Sequence, residues 1–200
     1  DQTEDAAATD LLRGTIGDIG KQLKEKGALQ PFDPNLGKGV REKIVLPSGR
    51  TKPRGGGGRG GGTQASKNDR ELAVLLGEAF VYEYFRIKLP AFDEMAWRSC
   101  NRNAYGIEGV GDDSLGFDFS YRDNENRLTG RQDSPLCYIE VKSSSGDGSE
   151  PFPMTVNEWE KARYCHQTTD SVYIILRVSH VGDEPKISDV IIDPFGLYGA

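Results

Sequence analysis

The clearest periodicity in the chain lies over residues 70–88. Leu72, Leu75, Leu76, Ala79, Phe80 and Ile87 recur at helical spacing, and Val74, Val81 and Phe85 add a second apolar face. A helix apolar on nearly all sides is expected to be buried. Glu78 falls inside that run, an unusual place for an acid. Met95-Ala96-Trp97-Arg98-Ser99 reads as a short strand. Residues 116–121 and 136–143 read as two further strands, joined by the polar, hairpin-like loop 122–134. Thr155-Val156-Asn157-Glu158 has the capping-box pattern and opens a helix carrying Trp159, Ala162 and Cys165. Residues 171–181 are hydrophobic on both faces, as in a central strand, and 187–192 supply a last strand closed by Asp193-Pro194. The order is helix, three strands, helix, two strands. It predicts an α/β (mixed α+β) domain, with a mixed central sheet of about five strands flanked by helices on both faces.

Residues 1–66 break this pattern. Leu11, Leu12, Ile16, Ile19 and Leu23 allow one amphipathic helix over 9–25, although Gly14, Gly17 and Gly20 each weaken it by about 1 kcal/mol relative to Ala. Arg54-Gly55-Gly56-Gly57-Gly58-Arg59-Gly60-Gly61-Gly62 is too poor in apolar surface to offset its chain entropy and reads as a linker. The expected organisation is a flexible tail over 1–66 and one folded domain over 67–200. Charge follows the same division. Residues 41–67 carry seven Lys/Arg against Glu42 alone, whereas 71–200 carry 22 acidic and 12 basic side chains, a net of −10. A polyanion would meet the basic tail first.

Cys100, Cys137 and Cys165 are sparse and lack Cys-x-x-Cys spacing, which points to free thiols in a reducing, intracellular compartment and away from a structural zinc site. No apolar run is long enough to span a bilayer, so no membrane partner is expected. The chain opens on Asp, not Met, and is expected to be one module of a larger multidomain protein.

Candidate chemistry sits where charge interrupts the two central strands. Asp118 lies in Gly116-Phe117-Asp118-Phe119-Ser120-Tyr121, and Glu140 and Lys142 lie in Cys137-Tyr138-Ile139-Glu140-Val141-Lys142-Ser143. Burying a carboxylate is costly unless it is paired or binds a metal. Strand alternation puts Glu140 and Lys142 on one face and Ile139 and Val141 on the other. It likewise sets Asp118 and Ser120 opposite Phe117, Phe119 and Tyr121. Pairing across the loop would bring Asp118 and Glu140 together at one end. Two carboxylates, a main-chain carbonyl (that of Val141) and waters suit Mg²⁺, with Mn²⁺ able to substitute. A neighbouring lysine can orient a water and offset developing phosphate charge, a combination suited to phosphodiester hydrolysis. Arg98 and Arg102 are candidate phosphate contacts.

Glu78, Asp118 and Glu140-x-Lys142, taken in order, resemble the motif set of the PD-(D/E)xK restriction-endonuclease-like superfamily. Gly77-Glu78-Ala79-Phe80-Val81-Tyr82-Glu83-Tyr84, Gly116-Phe117-Asp118, Ile139-Glu140-Val141-Lys142-Ser143-Ser144, Asn157-Glu158-Trp159 and Tyr173-Ile174-Ile175-Leu176-Arg177-Val178 resemble its NO VEIN C-terminal branch. The resemblance covers about residues 70–195. It implies a restriction-endonuclease-like core, with Asp118 and Glu140 as metal ligands, Lys142 as the catalytic lysine and Glu78 in support. It also implies that Asn157, Glu158 and Lys161 add polar groups from the following helix. Phe117 stands where the superfamily's nominal motif has proline. The implied function is Mg²⁺-dependent cleavage of DNA or RNA. The alternative is an inactive nuclease fold used to dock nucleic acid or protein.

Overall fold

The computed structural model describes residues 44–47 and 64–199, without the side chains of 64–68. The expected helix at 9–25 and the Gly/Arg linker at 54–62 lie outside the described residues. Helix α1 (Gln64–Lys88) is 25 residues long and begins slightly before the expected start of order. Leu75, Leu76 and Ala79 through Phe85 are all buried, Glu83 included, because the helix is covered on two sides. One side meets the sheet. The other is roofed by segment 89–107, whose Trp97 and Tyr105 rings stack 5.2 and 5.5 Å from the Tyr82 ring. Toward the helix ends this cover runs out, and Leu72, Val74 and Ile87, read as core positions, stay exposed.

Strands β2 (Phe119–Arg122), β3 (Leu136–Ser143), β5 (Ser171–Ser179) and β6 (Lys186–Ile192) form one sheet in the order β2-β3-β5-β6. The β3–β5 pair is parallel and the outer pairs are antiparallel, so the sheet is mixed. Every residue of β5 is buried, as its two-faced hydrophobicity predicts. A second, two-stranded sheet pairs β1 (Ile44–Val45) with β4 (Phe152–Pro153) in parallel. Ile44, within the stretch expected to be an unpacked tail, packs against the second core. Residues 95–99 are not a strand of the sheet. A 3₁₀ turn (Glu94–Ala96), capped by Asp93, leads into a single bridge between Trp97 and Phe119. The described strands of the main sheet therefore number four, with the expected fifth replaced by that bridge.

Alternation along β3 and β5 separates two cores. Cys137, Ile139, Val141, Val172, Ile174, Leu176 and Val178 face α1. Tyr173 and Ile175 face helix α3 (Val156–His166), which is also covered by the short helix α4 (Pro194–Tyr198); the four-residue helix α2 (Asn101–Ala104) stands beside α1. Thr155 caps α3, and the full capping box with Glu158 is present. Cys100, Cys137 and Cys165 are free, the latter two buried. Among the described residues no helix is long and apolar enough to cross a membrane.

Candidate functional site

The ladder between β2 and β3 runs from Arg122↔Leu136 to Phe119↔Ile139. One step further, Asp118 would face Glu140, the register the sequence predicts. The chain leaves the regular ladder at this step. Asp118 N–H donates to the Ile139 carbonyl (2.9 Å), and its carboxylate Oδ2 accepts the Val141 N–H (2.8 Å) in place of a strand carbonyl. This departure also reverses the side of Phe117. Alternation predicts Phe117 beside Phe119, yet Phe119 packs in the α1 core while Phe117 packs on the opposite face against Tyr138, ring centres 4.7 Å apart.

Several contacts hold the bend. Gly116 adopts φ +74°, and a Cβ there would lie 2.5 Å from the Asn157 carbonyl, so the turn sits directly on the start of α3. Tyr173 donates its hydroxyl to the Gly116 carbonyl (2.7 Å). The Asp118 carbonyl accepts the N–H groups of Arg98 and Ser99. Because β2 stops pairing at Ile139, the final four residues of β3 present an edge that β2 does not cover. In an extended strand a residue's N–H and C=O leave on the same side. The Val141 carbonyl is therefore directed to the edge at which Asp118 sits.

Glu78 reaches this edge from α1. It is 2 % exposed and accepts hydrogen bonds from Trp97 Nε1 (2.8 Å), Asn101 Nδ2 (2.6 Å) and Ser99 Oγ. Ser99 thus ties Glu78 to Asp118, with its hydroxyl on one and its N–H on the other. Gly77 permits the approach: a Cβ there would lie 1.9 Å from Ser143 Oγ. On the other face of the sheet, Lys142 Nζ is bound by Glu140 Oε1 (2.9 Å) and Glu158 Oε2 (2.7 Å).

Lys142 is thus paired with two carboxylates, those of Glu140 and Glu158, while Asp118 and Glu78 are held by the segments on either side of the β3 edge. Asp118 is partly buried and keeps some contact with solvent. Burial, then the charges of Glu140 and Glu78, hold its carboxyl well above the ordinary range. Burial pushes Glu140 up to about 8 although Lys142 pulls the other way. Burial also raises Glu78, against the pull of its three hydrogen bonds. For Lys142 burial acts downward, but Glu140 and Glu158 outweigh it and the ammonium is stabilised.

Excess negative charge of this kind is relieved by a proton or by a cation. The donors fit a hard divalent ion. Asp118 binds the Val141 N–H through Oδ2 and Glu140 binds Lys142 through Oε1, which leaves Asp118 Oδ1 and Glu140 Oε2 as further oxygen donors for a cation, and strand geometry directs the Val141 carbonyl toward the Asp118 edge. Among the described residues no group of three or more His, Cys, Asp or Glu side chains is placed to hold a metal ion. Two carboxylate oxygens and one main-chain carbonyl would leave most positions around a hard divalent ion to water.

A family model described as "Protein NO VEIN, C-terminal" matches residues 77–190, which include Glu78, Asp118, Glu140, Lys142 and Glu158. The chain belongs to this family. No curated protein and no solved structure matches the chain.

The remaining candidates of this NO VEIN C-terminal domain are placed unequally. Arg98 is exposed. Arg102 is 3 % exposed and spends its guanidinium on the carbonyls of Trp97 and Glu108 (2.8 Å each), so it braces loop 97–108 and does not face solvent. Asn157 donates to the Ser114 carbonyl (3.2 Å), tying the turn before Asp118 to α3. Lys161 stands one turn beyond Glu158, 3.6 Å from the centre of the Tyr138 ring and 5.1 Å from that of Phe117. Ser99, Asn101, Gly116 and Tyr173 are parts of the site that sequence reasoning did not assign. No periodicity signals the three donors Trp97, Ser99 and Asn101, because the chain turns between the bridge at Trp97 and the start of α2 at Asn101.

Proposed function

We propose that residues 67–200 are a divalent-metal-dependent phosphodiester hydrolase of the PD-(D/E)xK, restriction-endonuclease-like type, cutting DNA or RNA. The observation that supports this reading is that the Asp118 carboxylate binds the N–H of Val141, the residue between Glu140 and Lys142, while Lys142 pairs with Glu140. Asp118, Glu140 and the Val141 carbonyl would hold Mg²⁺ or Mn²⁺, which when bound supplies Lewis acidity and a water of lowered pKa. Lys142, kept protonated by two carboxylates, offers N–H donors and positive charge to a phosphoryl oxygen. Glu78 holds the Ser99 end of the Asp118 turn and adds negative charge to the cleft. The basic stretch 41–67 offsets the repulsion between an acidic domain and a phosphate backbone. The test is cleavage of single- and double-stranded DNA and RNA by the purified chain. Cleavage should require Mg²⁺ or Mn²⁺ and fall at least about a hundredfold in Asp118→Ala and in Lys142→Ala. Cleavage that persists in both folded variants would refute it.

One observation favours a second reading, a nuclease fold used only for docking. Lys142 is fully engaged by Glu140 and Glu158, a closed arrangement that needs no substrate. That reading requires nucleic acid or a protein to bind equally well with and without divalent metal.

A further inference from the structure

Lys142 carries its ammonium on a flexible four-carbon stem, and such a charge keeps a fixed place only where partners on separate elements hold it. Glu140 lies on the same strand as Lys142, and in the proposed centre its carboxylate would also serve a cation. Glu158 comes from a different element, the first turn of α3. Its Oε2 accepts both the Lys142 ammonium (2.7 Å) and the Thr155 N–H (3.1 Å). The Glu158 N–H in turn donates to Thr155 Oγ1 (3.3 Å). The capping box thus fixes the rotamer of Glu158, which is 7 % exposed and has no room to swing into solvent without uncapping the helix.

We propose that Glu158 is the positioning residue for Lys142: the cap that starts α3 also locks the ammonium on the Glu140 side of the sheet. Its structural part stands on these contacts alone, and only its catalytic consequence rests on the nuclease reading. A lysine clamped in this way is a cation and hydrogen-bond donor, not a base. The arrangement also gives the first turn of α3 two duties, since losing the cap releases the lysine and losing the lysine's partner loosens the cap.

The test uses the full chain. Glu158→Gln keeps the capping geometry, because glutamine also closes a capping box, but removes the charge. Thr155→Ala keeps the charge and removes the hydroxyl that fixes it. The order of the Lys142 side chain is followed at fixed pH through relaxation of its ε-carbon resonance, and cleavage is measured as kcat and KM separately. In Glu158→Gln the Lys142 ε-carbon should become as mobile as that of an exposed lysine, and kcat should fall about 10- to 100-fold at unchanged KM. Thr155→Ala should shift both in the same direction by less. Should Glu158→Gln fail to fold, Thr155→Ala carries the test alone. A Lys142 ε-carbon as ordered as in wild type in the folded variants would overturn the proposal and leave Glu158 a helix cap only. A mobilised Lys142 together with wild-type cleavage in Asp118→Ala would uphold the clamp and refute the nuclease reading.

Discussion

Glu140→Gln should stabilise the metal-free domain at neutral pH, although it removes one of the two partners of Lys142. In the unfolded chain this carboxyl gives up its proton near 4.5, the ordinary value for glutamate, and in the folded chain at about 8. Between those values the folded state binds a proton that the unfolded state has lost. Stability therefore falls as pH rises through this window, by about 1.4 kcal/mol per pH unit for one proton. At pH 7 the ionisable side chain costs on the order of 3 kcal/mol relative to a neutral isostere. Against this, glutamine returns a weaker hydrogen bond to Lys142, and a bond to a charged group contributes about 1.5–3 kcal/mol. The net expectation is a gain of roughly 1 kcal/mol at pH 7, growing toward pH 8 and reversing below about pH 6. The assay is urea denaturation in EDTA from pH 5 to 8.5, comparing the pH slopes of wild type and variant. Asp118 and Glu78 are raised too, so wild type should lose stability with more than one proton's slope, and the variant should lose about one proton less. Equal slopes, or a variant less stable than wild type at pH 8, would refute the reasoning.

Mg²⁺ affinity should rise from pH 5.5 to 8, because binding must displace protons held by Asp118 and Glu140; titration calorimetry in two buffers of different ionisation heat counts them, and no proton release contradicts the account. Gly77→Ala gains about 1 kcal/mol of helix propensity but forces a Cβ to 1.9 Å from Ser143 Oγ. Overpacking of about 1–3 kcal/mol should prevail and lower the melting temperature, with cleavage falling further than stability because Glu78 moves with the helix. Tyr173→Phe strips the Gly116 carbonyl of its donor; about 1 kcal/mol of stability and a disproportionate share of kcat should be lost. Replacing Arg50, Lys52, Arg54 and Arg59 by Gln should flatten the salt dependence of nucleic-acid binding without altering the melting temperature, and parallel salt slopes would exclude a role for that stretch.

Much of the fold was legible because local pattern and tertiary context agree. The two-faced apolar run of β5, the parity of β3 and the Thr155–Glu158 box each specify one outcome, and each is present. The misread segments are those where tertiary contacts override alternation. Residues 95–99 look like a strand, but Asp93 caps a 3₁₀ turn and only Trp97 touches the sheet. Phe117 looks like a neighbour of Phe119, but the αL turn at Gly116 and the side-chain bond from Asp118 to Val141 switch its face. No periodicity could reveal that Ile44 pairs with a strand more than a hundred residues later. At the site, the acids and the lysine are legible as buried charge on apolar elements. Their holders are less so, since Ser99, Asn101 and Tyr173 act through single hydrogen bonds formed across distant segments. Arg102 shows the converse: a positive side chain in a polar loop suggests phosphate contact, while its guanidinium is buried against main-chain carbonyls.

The central claim is that Asp118 and Glu140 together hold one divalent cation at the β2–β3 edge. Calorimetric titration of Mn²⁺ into the metal-free chain tests it most directly, with Asp118→Asn and Glu140→Gln measured alongside. The account expects one saturable site in wild type that each substitution abolishes while the fold persists. Binding that survives Asp118→Asn unchanged, or no binding in wild type, would contradict it.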